Sequence, residues 1–108
     1  MERFEELVAE ALDGIPEALG RRMENVVIRV VEDSRAGLLG LYEGIPLTQR
    51  DQYGGMAMPD RISIYRRPIL AEAESEDDVV RQVRVTVIHE VAHHFGISDA
   101  RLDELGWA

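Results

Sequence analysis

Between Ser75 and Phe95 the chain must form one long helix with two faces of different chemistry, and everything else has to cover one face while leaving the other open. Ser75 and Asp78 have capping-box spacing, and Glu76, Asp77 and Asp78 sit where the positive end of a helix dipole favours acids. The pattern predicts a helix from about Glu76 to Phe95. At about 100° per residue, with His89 at 0°, His93 falls near 40°, Thr86 near 60° and Glu90 near 100°. Val80, Val83, Val87, Ile88, Val91 and Phe95 fill the arc from about 120° to 260°. His94, near 140°, faces that apolar arc and reads as a core or supporting histidine rather than a ligand.

The preceding segments supply the cover. Phe4, Leu7, Val8, Ala11 and Leu12 recur at helical spacing, which predicts a helix over about residues 2–13, stopped by Gly14 and Pro16. Pro16 to Leu19 can start a short further turn. Val26 to Val31 is rich in β-branched residues and reads as a strand. Asp33 to Gly37 is turn chemistry, and Leu38 to Gly44 reads as the returning, antiparallel strand of a hairpin. Between Pro46 and Pro59 the apolar period vanishes, so a long loop is expected over 46–60, with Met56 and Met58 packing over the core. Arg61 to Arg67 alternates, with Ile62 and Ile64 to one side, and Pro68 closes the strand or places it at a sheet edge. Such an edge either accepts an extended peptide by strand addition or is kept from aggregating by its arginines.

A chain of 108 residues is expected to be one domain, spanning 1–108. Its formal charge of −9 speaks against wrapping a phosphate backbone, so no nucleic-acid partner is expected. The absence of cysteine excludes disulfides, thiol catalysis and Cys-type zinc. Met1 to Glu6 is charged rather than apolar, and no run approaches a membrane span, so a cytoplasmic location and no membrane partner are expected. The oligomeric state is not legible in the sequence.

The polar face carries the chemistry, in the order His89-Glu90-x-x-His93-x-x-Gly96-x-x-Asp99. His89 and His93 are one turn apart, so their imidazoles can reach one metal ion. Neutral imidazoles suit zinc, and a catalytic zinc takes three protein ligands and a water whose pKa falls to about 7. Glu90 is too close in sequence to be the natural third ligand and is expected to be the general base. Gly96 can take a positive φ and end the helix, which turns Asp99 back toward the pair. Asp99 is therefore the candidate third ligand, with Asp103 and Glu104 ranked below it.

These residues resemble the zincin metallopeptidases, with Asp99 standing where the extended metzincin-type signature ends in histidine. In length and layout, and in the stretch Pro59 to Pro68, the chain resembles the small bacterial zincin-like metallopeptidase family. The resemblance implies an α+β fold, a minimal zincin whose small, mostly antiparallel or mixed sheet packs against an N-terminal helix and a C-terminal active-site helix. It also implies one Zn2+ per chain on His89, His93 and Asp99, with Glu90 catalytic and a peptide or protein as substrate; the edge reading of 61–67 makes that strand the expected place for an extended peptide. The sequence departs from a metzincin in having no methionine after Met58, hence no Met-turn, and neither tyrosine nor histidine after Asp99. An oxyanion stabiliser would have to come from upstream, from Tyr53, Tyr65 or an arginine of 61–67.

Three functions follow as expectations. The first is a zinc peptidase. The second is a metal-stabilised module that binds a peptide or protein without cutting it, which the missing stabiliser favours. The third is a metal-dependent ribonuclease, against which both Glu90 and the acidic charge speak.

Overall fold

The computed structural model describes residues 2–15, 17–21, 23, 25–34, 36–44 and 60–105. In chain order the elements are α1 (Glu2–Asp13), α2 (Glu17–Gly20), β1 (Val26–Val31), β2 (Gly40–Glu43), β3 (Asp60–Tyr65), α3 (Arg66–Glu72), α4 (Glu76–His94) and α5 (Asp99–Leu105). The fold is α+β, a three-stranded mixed sheet with N-terminal and C-terminal helices. No helix among the described residues is long and apolar enough to cross a membrane.

The sheet order is β1-β3-β2, with β1 parallel and β2 antiparallel to β3. The expected hairpin between the first two strands is therefore not formed, because β3 lies between them. Burial follows the order. Five of the six residues of β3 are buried, whereas every residue of β1 and β2 is at least partly exposed. The central strand is the buried one, with both of its edges hydrogen-bonded, although β1 has more apolar residues. This also corrects the edge position expected for the 61–67 strand: peptide addition along β3 is blocked on both sides. Among the described residues, the outer edges belong to β1 and β2.

The strand stops at Tyr65, and Arg66–Glu72 is helical rather than extended. Pro68 is tolerated because it occupies the first turn of α3, where a backbone N–H has no intrahelical acceptor. Arg66 Nη1 and Arg67 Nε lie 2.6 and 3.2 Å from the same Glu32 oxygen and pin this corner to the end of β1. Burial tends to raise the Glu32 pKa, but the two arginines outweigh it and hold the carboxyl below its ordinary value. The loop expected over 46–60 lies outside the described residues except at its end, where Asp60 opens β3.

Helices α1 and α4 pack together, and α4 also contacts β2 and β3. One apolar cluster joins Phe4, Leu7, Val8 and Ala11 of α1 with Ile62 and Ile64 of β3, Ile69 of α3, and Val83, Val87 and Val91 of α4. Each fully buried aliphatic side chain there contributes about 1.5–3 kcal/mol. Helix α4 begins at Ser75, whose hydroxyl accepts from the Asp78 N–H at 3.1 Å, while the Asp78 carboxylate accepts from the Glu74 N–H at 3.0 Å.

Two outcomes test this start. Ser75→Ala should cost about 1 kcal/mol in urea denaturation, with little change in m-value. The Asp78 pKa is lowered, first by the Glu74 N–H and then by Arg81. A depressed folded-state pKa adds stability that is present above the unfolded value and is lost as pH falls through the folded one. Asp78→Asn should therefore flatten the acid limb of stability below about pH 4.

Candidate metal centre

The last two turns of α4 bring His89 and His93 side by side, their rings 4.7 Å apart between centroids and steeply inclined. Both side chains are a little over one-third exposed, at 38% and 37%. The predicted polar face thus does reach solvent.

Asp99 is returned to the pair by a chain of local devices. Gly96 sits at φ 74°, and two hydrogen bonds close the helix end: Gly96 N–H to His93 C=O at 3.0 Å and Ile97 N–H to Ala92 C=O at 2.9 Å. Together they form a Schellman turn. Ser98 then caps a new helix, its hydroxyl accepting from the Arg101 N–H at 3.2 Å. Asp99 is the first residue of that helix, α5, and Leu102, only 1% exposed, seats it against the body of the protein. Sequence reasoning missed α5, although the Ser98 cap and the apolar Leu102 four residues on were its signals.

The result is one carboxylate oxygen facing two imidazole nitrogens. Asp99 Oδ1 lies 3.3 Å from His89 Nε2 and 3.5 Å from His93 Nε2. Metal bonds of about 2.0–2.1 Å arranged tetrahedrally place neighbouring ligand atoms about 3.3–3.4 Å apart. Of the lower-ranked acids, Glu104 is held by Arg101 at 2.8 Å and Asp103 is exposed on α5.

Glu90 is on the other side of His93. Its Oε1 lies 3.1 Å from His93 Nδ1, and the residue is only 7% exposed. His93 thus turns Nδ1 to Glu90 and Nε2 to Asp99. His89, Glu90 and His93 together offer ligand atoms within 4.8 Å of one another. Glu90 meets His93 at Nδ1, whereas Asp99 Oδ1 lies beside the Nε2 atoms of both histidines.

The helical wheel expected Glu90 and Thr86 on the open face. Both are buried, because β2 approaches them at Gly40. A Cβ at Gly40 would stand 2.7 Å from Thr86 Cγ2 and 3.1 Å from Glu90 Cγ. The glycine lets the strand close over the carboxylate.

His94 turns inward as expected and is fully buried, its Nδ1 2.8 Å from Asp60 Oδ2. The Tyr42 hydroxyl donates to the same oxygen at 2.6 Å. The sequence analysis gave Asp60 no role of its own; its signal was its place two residues before Ile62 and four before Ile64, on the same face of β3. Among the proposed upstream stabilisers, Arg61 pairs with Glu43 at 3.3 Å, and Arg66 and Arg67 with Glu32. Tyr65 is buried, and Tyr53 lies outside the described residues.

A family model described as zincin-like metallopeptidase matches residues 21–107. The chain is also similar to a solved structure, a conserved hypothetical protein from Thermo thermophilus. The two are 26% identical, with a TM-score of 0.58 over 97% of this chain and 95% of that one. None of the curated proteins compared matches the chain.

If the turn at Gly96 delivers Asp99, Gly96→Ala should lower stability by about 1 kcal/mol for the left-handed backbone. It should also shift the amide resonances of residues 97–102, with those of β1 unchanged. A variant of wild-type stability with unmoved resonances would remove the turn from this account.

Proposed function

The chain belongs to the zincin-like metallopeptidase family, and on that premise we propose that it is a zinc-dependent peptidase. His89, His93 and Asp99 hold one zinc ion per chain, and Glu90 is the general base. The observation that carries this reading is the Asp99 oxygen 3.3 and 3.5 Å from the two Nε2 atoms, on an open face beside a buried carboxylate. Bound zinc supplies Lewis-acid polarisation of a carbonyl and acidifies water.

The chain's own groups do the rest. Glu90 accepts a proton from the water that attacks the scissile carbonyl carbon, and returns it to the leaving nitrogen as the C–N bond breaks. Its Oε1 lies beside His93 Nδ1, which would orient the ring with Nε2 toward the metal. The substrate is an extended peptide. Since β3 is paired on both edges, the strand to receive it is β2, whose Gly40 approaches Glu90.

A second reading, a metal-stabilised module that binds peptides without cutting them, is favoured by one observation. The arginines at and after β3 are engaged by Glu43 and Glu32, away from any transition-state charge. Slow or narrowly specific cleavage is the corresponding expectation for the peptidase.

Metal analysis and peptide cleavage separate the two. Wild-type protein should bind one zinc and cut unstructured peptides. Glu90→Gln should retain the zinc and lose about 10²–10⁴-fold in rate, while Asp99→Ala should lose affinity for the metal itself. Full zinc loading with no cleavage across a broad peptide library leaves the binding module standing and ends the peptidase reading.

A further inference from the structure

We propose that Asp60 is a positioning residue for the metal centre, acting through His94; this rests on the metal-binding reading above. Its carboxylate is 2% exposed and joins three elements: β3, on which it sits, β2 through Tyr42, and the last turn of α4 through His94. The backbone is shaped around it. A Cβ at Gly44 would fall 2.4 Å from Asp60 Cγ, so the end of β2 passes too close for any side chain. Burying a carboxylate is unfavourable, and apolar side chains of similar volume commonly do as well or better for stability. What a buried charged hydrogen bond adds is direction.

Direction is what the His93 end of α4 requires. The contacts of Val83, Val87 and Val91 with Ile62 and Ile64 are apolar and tolerate small slides and rotations. The bond from His94 Nδ1 to Asp60 does not, because it fixes one atom of the helix's last residue against the central strand. His93 is its immediate neighbour, and the Schellman turn that launches Asp99 begins from the carbonyls of Ala92 and His93. Rotation of this single turn would move His93 and Asp99 together relative to His89. Asp60 holds that turn so that the three donor atoms converge before any metal arrives.

Zinc affinity, measured by chelator competition, and the visible spectrum of the cobalt(II)-loaded protein test this directly. Asp60→Ala should weaken zinc by about 10–100-fold and change the cobalt bands, with Asp60→Asn, which can still accept from His94, restoring both to within about threefold. Val83→Ala, a core truncation two turns or more from His93, serves as the control: it should lower thermal stability yet leave affinity and spectrum unchanged. If Asp60→Ala does not fold, Tyr42→Phe decides, since it loosens the carboxylate without opening a cavity and should shift both readouts the same way. Wild-type affinity and spectrum in a folded Asp60→Ala or in Tyr42→Phe, or a loss that merely tracks stability as in Val83→Ala, overturns the proposal. A wild-type protein that binds no zinc overturns the metal reading instead.

Discussion

The seating of α4 on the sheet is the contact on which the rest of the structure depends. This helix must bury a valine stripe against Ile62 and Ile64, carry a buried histidine to Asp60, and still leave two imidazoles in reach of solvent. A sheet of three strands is just wide enough for that. Central β3 supplies the apolar floor, and β2 comes close enough at Gly40 to enclose Glu90 while leaving its neighbour His89 half-open. The same helix is thus core on one side and site on the other.

Two buried carboxylates divide the work at its C-terminal end. Glu90 meets His93 at Nδ1, and Asp60 meets His94 at Nδ1, one residue further along the same turn. The third acid is the opposite kind of group. The Asp99 side chain is 70% exposed, and its backbone is placed by the turn at Gly96, the Ser98 cap and the seat of Leu102.

Where a pattern is local, the sequence carries it well. The periods of α1 and α4 and the β-branched run of β1 appear in the structure within a residue of the expected bounds. His89, Glu90, His93 and Asp99 are brought together as their spacing implies. Strand pairing is non-local, and there adjacency misled: a turn at Asp33 to Gly37 suggested a hairpin, yet β3 took the middle place between the two strands. Pro68 looked like the end of a strand because proline ends strands and also starts helices, and only tertiary contact with Glu32 distinguishes the two. The helical wheel placed Glu90 correctly by angle but not by burial, since what covers it is a glycine from another element.

The central claim is that two imidazoles and one carboxylate of this chain form a single zinc site. X-ray absorption at the zinc edge of the metal-loaded wild-type protein measures that set most directly. The account predicts four-coordinate zinc with two imidazole scattering patterns and oxygen donors in a shell at about 2.0–2.1 Å. A shell of oxygens alone, or zinc retained with a single imidazole, would contradict it.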